Sequence, residues 1–335
     1  MQSIQIKNAQ AGSFENLHVV HADTPEPKPG EVLVRWHATS LNYHDLLVAF
    51  GFIPVPDGRI PMSDGAGEIV AVGEGVKQWK TGDQVMSLFF PKWIEGKPTL
   101  DKTRFISGET VDGYATEYSC LSSDAITAMP PGYNYAQAAT LPCAALTAWR
   151  AVMVEGQIQP GQTVLIEGSG GMSMFGLQFA IMAGAKVIAT TSSPAKAERL
   201  EAMGASRVVN YKEDERWGKT IFKETGGVDL VLDVGGGSTM KQSIEAVAIG
   251  GKVISIGILG DGRKGEITFP KLFFKHIQMT GIAVGSRVMQ EDMVKAINTN
   301  GLAPILDKSF ALDQLGAAFM YQASGQHFGK IVAEY

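Results

Sequence analysis

The chain has 335 residues, of which 45% are hydrophobic and 19% charged, and this predicts an ordinary globular protein with a large core and two domains. Its 29 basic and 34 acidic residues give a net charge of −5, which argues against a broad nucleic-acid-binding surface and favours small-molecule chemistry. Two cysteines argue against a disulfide framework. Because we find neither a leader-like segment nor a long apolar run, we expect a cytoplasmic protein with no membrane contact.

Residues 1 to about 125 are predicted to form mostly β-structure. Short strands, closely spaced and separated by Gly and Pro, are typical of a small barrel. One helix interrupts them at 42–50, with Asn42 as its N-cap. The polar segment 92–110 is predicted to be a loop. The predicted strands are 31–39, 67–72 and 84–88.

From about residue 136 the pattern changes to alternating strands and helices. A helix at 136–152, with a break at Pro142, precedes the alternation. Such alternation predicts a parallel sheet with right-handed crossovers. We expect the β-like segments 309–310 and 330–333 to rejoin the first domain. The predicted strands are 164–166, 187–189, 228–234, 251–257 and 278–284, and the predicted helices are 172–183, 194–204, 213–225, 239–248 and 290–300.

The segment 163–210 predicts a dinucleotide-binding site. It reads as a strand, a glycine turn, a helix and a second strand, in which a side-chain-free turn lets phosphate reach the N–H groups at the helix start. Ser173 occupies the third position of the glycine fingerprint, and Gly176 is expected to give the close packing of helix on strand. The alternative is an ordinary tight turn, which the full strand–helix–strand context disfavours. The residues expected to contact the cofactor here are Gly168, Gly170, Gly171, Met172 and Ser173.

Several motifs together resemble the medium-chain dehydrogenase/reductase superfamily, and most closely its zinc-free quinone oxidoreductase branch. The resemblance runs nearly the full length of the chain. It implies an α/β plus β protein, with a GroES-like β-barrel domain at 1–130 completed by 300–335, and a Rossmann doubly wound parallel-sheet domain at 131–299. It also implies a substrate cleft between the two domains. The motifs are 72–76, Gly82-Asp83, the glycine turn, 202–205, Asn210-Tyr211 and 324–330.

The same resemblance implies that catalytic zinc is absent. The two cysteines and one histidine that hold zinc in other members fall on Asn42, Cys143 and Ser63, and the four-cysteine structural-zinc lobe is missing. Asn and Ser are poor replacements, because zinc prefers thiolate, imidazole and carboxylate ligands. The remaining thiol is interpreted as a small buried hydrophobic residue.

The tip of the second strand of the dinucleotide unit favours NADPH, with NADH as the alternative. NAD-specific domains carry an acid about 20 residues past the glycine turn, whereas 190–193 contains no carboxylate. Ser192 and Ser193 can donate hydrogen bonds to a 2′-phosphate, and Lys196 can add a positive charge, although it could also be a solvated helix residue. Tyr211 matches a tyrosine of NADPH-binding quinone reductases, although it could also be a core aromatic. Further residues expected near the cofactor are Thr147, Gly235, Gly257, Phe328 and Lys330.

Three residues are the candidates for catalysis: Asn42, His44 and Asp64. Without zinc, hydrogen-bond donors must polarise the substrate oxygen, and Asn42 offers an amide at the former metal position. His44 suits proton transfer because its ordinary pKa is near 6.5, although it could instead be structural or exposed. Asp64 could orient Asn42 or the nicotinamide ribose, and Asp45 is interpreted as a cap or brace.

These observations predict an enzyme that transfers hydride from NADPH to a small carbonyl, quinone or enone. The alternatives are a zinc-free alcohol dehydrogenase, an enoyl-thioester reductase, or a protein that binds NAD(P)H with little turnover. We expect a small-molecule substrate and no nucleic-acid partner. The resemblance implies a homodimer that pairs through the edge strand at 278–284.

Overall fold

The computed structural model describes residues 1–13, 15–260 and 264–335. The strands, numbered in chain order, are β1 (Gln2–Ile6), β2 (Leu17–His21), β3 (Glu31–Ser40), β4 (Ala66–Val72), β5 (Gln84–Ser87), β6 (Tyr118–Ser122), β7 (Ile126–Ala128), β8 (Thr163–Glu167), β9 (Lys186–Thr191), β10 (Arg207–Asn210), β11 (Val228–Asp233), β12 (Val247–Ser255), β13 (Gln278–Gly281), β14 (Leu306–Ala311) and β15 (Lys330–Glu334).

The helices are α1 (Tyr43–Ala49), α2 (Leu100–Thr103), α3 (Tyr135–Ala139), α4 (Leu146–Trp149), α5 (Gly171–Met182), α6 (Pro194–Ala202), α7 (Trp217–Thr225), α8 (Met240–Ala246), α9 (Phe269–Phe274), α10 (Arg287–Asn300) and α11 (Leu315–Ala323). Two wider π-helical segments, Leu141–Ala145 and Arg150–Glu155, flank α4. The predicted break at Pro142 falls in the first of them, since proline removes a backbone donor and disrupts regular helical bonding. In the described ranges we find no helix with both the length and the apolar character needed to cross a bilayer.

The chain divides into two compact units, Met1–Leu146 with Val284–Tyr335, and Thr147–Ala283. The division differs from the predicted boundaries, because residues 131–146 and 284–299 pack with the first unit rather than with the second. Buried Gln290 of α10 illustrates why: its Nε2 donates hydrogen bonds to Ser87 O at 3.0 Å and to Thr127 Oγ1 at 2.7 Å, both within the β domain.

The first unit contains a seven-stranded sheet and the two-stranded pair β1–β2. The order in the larger sheet is β14-β15-β3-β4-β5-β7, with β6 also paired to β3. The long strand β3 turns one face to the core, with Val32, Val34 and Trp36 all nearly inaccessible to solvent. The sheet and its buried face confirm the predicted β domain. The strand β15 pairs antiparallel with β3, so the final segment completes the sheet that the first forty residues begin, as predicted.

The second unit is built on six parallel strands in the order β10-β9-β8-β11-β12-β13. The strand β8 is central, so chain order reverses on either side of it, and this confirms the predicted doubly wound sheet. Its strands are apolar because both faces of a parallel sheet are buried. The strands β1, β2, β6 and β7 and the helices α2, α9 and α11 were not among the predicted elements.

Candidate active site and cofactor site

The glycine turn in the second unit lies at the carboxyl end of the central strand β8. Gly168 adopts φ +74°, a left-handed conformation that favours glycine, and Gly170 is the N-cap of α5 and offers no side chain at the helix start. A Cβ added to Gly176 would lie 2.8 Å from Leu232 Cδ1, so this glycine does allow close packing of helix on strand. Ser173 faces inward, and its hydroxyl donates to Glu167 O at 2.7 Å.

The structure brings the residues expected at the adenosine end together. Parallel pairing aligns Asn210 of β10 with Thr191 of β9, and the Tyr211 amide donates to Thr191 O at 3.2 Å. Ser193 caps α6 by accepting from the Lys196 amide at 3.4 Å, so Ser192, Ser193 and the first turn of α6 lie beside Tyr211. Tyr211 is 41% exposed and is not a core aromatic.

The loops that follow β11 and β12 pack on each other at the same edge of the sheet. The Leu259 amide donates to Val234 O at 2.9 Å, and a Cβ on Gly236 would lie 2.9 Å from Gly257 O. Gly235 is buried in the first of these loops. Parallel strands therefore present Gly168, Gly235 and Gly257 at one edge, where open α/β sheets bind ligands. Thr147 is 6% exposed at the start of this unit.

Sequence reasoning missed a pair of buried acids behind these loops, Glu167 and Asp233, which end neighbouring strands. The available signal was a charged residue closing each apolar run, in Val-Leu-Ile-Glu and in Val-Leu-Asp. Burial, together with the nearby charge of Asp233, raises the pKa of Glu167 to about 8.

The catalytic candidates of the first unit belong to a buried polar cluster. Asp45 accepts from the Asn42 amide at 3.0 Å and from the Ser63 amide at 2.8 Å, so it caps α1 and braces the neighbouring segment, as interpreted from the sequence. Asn42 Nδ2 donates to Asp64 Oδ2 at 2.7 Å, which places Asp64 as the residue that orients the amide. Ser40 also donates to Asp64 Oδ2, at 2.6 Å.

Lys330 of β15 completes this cluster. Its Nζ donates to Asn42 Oδ1 at 2.6 Å and to Leu41 O at 2.7 Å, lies 3.8 Å from Asp64 Oδ2, and is buried with it. Burial raises the pKa of Asp64 to about 6, against the lowering effect of the Lys330 charge. Both Lys330 and Phe328 lie in the first unit, Phe328 buried with its amide donating to Asp307 at 3.2 Å. Their predicted contact with cofactor stays a prediction.

His44 lies on α1 at the edge of the cluster and is held by two carboxylates. Its Nε2 is 2.7 Å from Glu109 Oε2, and its Nδ1 is 3.5 Å from Asp45 Oδ1, an ion-pair distance. Burial acts to lower the pKa of His44, but the attraction of Asp45 and Glu109 outweighs it and raises that pKa to about 9. His44 is therefore an imidazolium at neutral pH, packed edge-on against Phe89. The sequence did not identify Glu109 as a partner of His44, because Glu109 lies in the segment 92–110, which was predicted to be a polar loop.

The cluster does not fit a zinc ion. Among residues 1–13, 15–260 and 264–335 there is no group of three or more His, Cys, Asp and Glu side chains arranged to hold a metal. The position expected for a metal ligand, Asn42, faces the Lys330 ammonium, and a fixed cation so close opposes the binding of a second one.

Comparisons with known proteins match a separate family model to each of two parts of the chain. A family model for the alcohol dehydrogenase GroES-like domain matches residues 28–131, and one for zinc-binding dehydrogenase matches residues 171–299. A zinc-type alcohol dehydrogenase-like protein of Schizosaccharomyces pombe is 39% identical over 333 residues, or 96% of each chain.

Two solved structures extend the comparison. The crystal structure of an NAD-dependent alcohol dehydrogenase is 28% identical with a TM-score of 0.91, and covers 100% of both chains. The quinone oxidoreductase from Coxiella burnetii is 27% identical with a TM-score of 0.82, and covers 100% of this chain and 99% of the other.

Proposed function

The chain belongs to the medium-chain dehydrogenase/reductase superfamily of NAD(P)H-dependent oxidoreductases, and we propose that it is a zinc-independent member that uses NADPH to reduce a small carbonyl, quinone or enone. The observation that carries this proposal is the contact of His44 Nε2 with Glu109 Oε2 at 2.7 Å, at a partly exposed position, which favours a protonated and therefore acidic imidazole. A reduced carbonyl or enone needs a proton after it has received hydride, and such an acid supplies one.

The proposal that the protein works without zinc is based on the position of Lys330. Bound NADPH would supply the hydride, and in zinc enzymes a metal would stabilise the developing oxyanion. Here the ammonium of Lys330 lies among the oxygens of Asn42, Leu41 and Asp64, so a fixed positive charge lies beside Asn42, the position expected for one metal ligand. This charge polarises the Asn42 amide, whose Nδ2 is held by Asp64.

Proton delivery is assigned to the pair His44 and Glu109. Their side chains are 19% and 22% exposed, so the pair reaches solvent while its ring nitrogen remains hydrogen-bonded. An imidazolium with a pKa of about 9 stays charged near neutral pH and gives up its proton most readily to a strongly basic alkoxide or enolate. The neutral imidazole of His44 then takes a proton from water, and the carboxylate of Glu109 stabilises the imidazolium that forms again.

The preference for NADPH is supported by the tip of β9. The segment from Thr190 to Ser193 has no carboxylate to repel a 2′-phosphate, and it is followed by the first turn of α6, where Lys196 lies. A helix N-terminus with a nearby cation favours a phosphate group. Tyr211 lies against the same tip.

A homodimer through β13 is part of the proposal. This strand is one of the two edges of the parallel sheet, and three large side chains of α9, the helix before it in the chain, are exposed: Phe269 67%, Phe273 59% and Phe274 74%. Exposed aromatics of this kind mark protein interfaces, and an edge strand offers backbone groups for pairing.

A panel assay tests the function. The purified protein would be mixed with NADPH or NADH and with a quinone, an enone, an aldehyde or, in reverse, an alcohol, while metal content is measured by plasma spectrometry. We expect oxidation of NADPH without stoichiometric zinc, reduced at least tenfold in kcat by His44→Gln. His18→Gln, an exposed histidine of the same unit, is the matched control. Binding of NADPH with no turnover on any substrate would instead identify a low-turnover binding protein.

A further inference from the structure

Two carboxyl groups are buried together behind the glycine loop that follows β11. Glu167 and Asp233 end neighbouring strands and are 3% and 0% exposed. Ser243 of α8 lies between them, with its Oγ 2.8 Å from Glu167 Oε1 and 2.7 Å from Asp233 Oδ2. The arrangement needs a specific explanation, because two adjacent carboxylates removed from water strongly disfavour each other.

The hydrogen bonds around Ser243 account for the pair if one carboxyl group keeps its proton. A serine hydroxyl has a single hydrogen, so Ser243 can donate to only one of the two acids. The other acid must then donate to Ser243 Oγ, which requires a proton on a carboxyl oxygen.

The surrounding donors assign the proton to Glu167 and the charge to Asp233. Asp233 accepts short bonds from the Gly236 amide at 2.8 Å and from Thr239 Oγ1 at 3.0 Å, which stabilise its ionised form. Glu167 Oε1 meets the Ser243 hydroxyl, and its Oε2 accepts two longer bonds. Burial and then the charge of Asp233 raise the pKa of Glu167 to about 8, and burial raises the pKa of Asp233 as well.

The groups that face Glu167 come from three neighbouring elements. The strand β11 contributes the charge of Asp233, α8 contributes the hydroxyl of Ser243, and α5 contributes the hydroxyl of Ser173, which donates to the backbone carbonyl of Glu167. Asp233 is the charged group whose field raises the pKa of Glu167. The titration of Glu167 is therefore coupled to that of Asp233.

The pair fixes the backbone of the glycine loop. Glu167 Oε2 accepts from the Val234 amide at 3.1 Å and from the Gly235 amide at 3.3 Å, and Asp233 Oδ1 accepts from the next amide, Gly236. Three successive N–H groups of the loop thus end on the two acids. Gly235 lies at the edge of the sheet that is proposed to bind the cofactor, so the acids act on that edge through the loop.

We propose that Glu167 and Asp233 share one proton through Ser243 and act as a positioning pair that holds the loop at Val234–Gly236 in its cofactor-binding conformation. The second part of this inference rests on the proposed function, whereas the sharing of the proton does not. When the shared proton leaves, two negative charges meet at one hydroxyl, and the loop loses its fixed conformation.

The test compares Glu167→Gln with the wild type. A group whose pKa is raised on folding contributes stability that is present below its unfolded pKa and lost as pH rises through its folded pKa. In the wild type, the unfolding equilibrium constant in urea should therefore rise about tenfold per pH unit between about 4.5 and about 8. Gln keeps the acceptor and supplies a permanent N–H in place of the proton, so the variant should lack this one-proton slope. Asp233→Asn should narrow the pH range of this slope, because it removes the neighbouring charge but not the burial of Glu167, and this keeps the test usable if one variant fails to fold.

A second readout is the dissociation constant for NADPH. We expect it to rise with pH above about 8 in the wild type, by up to tenfold per unit, and to stay flat in Glu167→Gln. Glu224→Gln, an exposed carboxyl of the same unit, is the matched control and should behave like the wild type. If both amide variants keep the wild-type slope of stability, the inference is overturned. A lost slope in a protein that binds neither NADPH nor NADH would support the shared proton and overturn the proposed function alone.

Discussion

Replacing Glu109 by Gln tests whether His44 carries a charge that the fold itself maintains. The pKa of His44 rises from 6.5 to about 9, and at 1.36 kcal/mol per unit this corresponds to roughly 3 kcal/mol of stability. Two carboxylates raise this pKa, and Glu109 makes the short contact at 2.7 Å. Glu109→Gln should therefore remove roughly half of the stabilisation, about 1.5 kcal/mol, and lower the pKa of His44 by about one unit.

The sign of the pH dependence follows from the raised pKa. The stabilisation is fully present below pH 6.5 and is lost as pH rises through about 9. Urea denaturation should thus separate wild type from Glu109→Gln at pH 6, and the difference should vanish by pH 10. NMR titration of the imidazole, with His44→Gln to identify the resonance, reports the pKa directly. Glu95→Gln, an exposed acid of the same loop, is the control. A difference of equal size at both pH values would refute the reasoning.

The remaining predictions concern cofactor, cluster and assembly. Lys196→Glu should raise the Michaelis constant for NADPH by about 10- to 100-fold and leave that for NADH within about twofold, because repulsion replaces one charge-assisted bond to the 2′-phosphate. The control Lys186→Glu, at the opposite end of β9, should change neither constant. Lys330→Met should lower the free energy of unfolding by about 3 kcal/mol at pH 7.5, measured in urea, and adding Asp64→Asn should restore part of it, because the buried carboxylate no longer lacks a partner. Phe274→Asp should shift the mass measured by light scattering from dimer to monomer, and an unchanged mass would contradict the edge-strand interface.

The parallel sheet and its glycine turn could be predicted because their signals are local. An apolar run, a turn of glycines and a helix that follows at once are all contained in 163–183, and Gly176 allowed the expected close packing. The contact between the end of β9 and Tyr211 could also be predicted from the alternation of strands and helices, because consecutive parallel strands tend to pair.

The supporting residues of both sites could not be predicted, because they are defined by contacts between distant segments. Glu109 meets His44 from 65 residues away, and Ser243 meets Glu167 from 76 residues away. Glu109 has no local pattern that distinguishes it from a solvated acid, and the apolar run before Glu167 indicates burial without identifying its partner. The compact units differ from the predicted domains for a similar reason: α10 follows the last parallel strand and has the pattern of another crossover helix, but its buried Gln290 bonds to the β domain.

The bond between Lys330 and Asn42 joins residues 288 positions apart, across the whole of the second unit. Domains generally fold as units during synthesis. The second unit is one contiguous stretch, Thr147–Ala283, so it is complete before residue 284 is made. The polar cluster around Asn42 cannot be completed until residue 330 has been made, and its closure is a long-range step of the kind that folds slowly. The order of synthesis therefore builds the parallel sheet first and leaves the polar cluster incomplete until the strand β15 closes against β3.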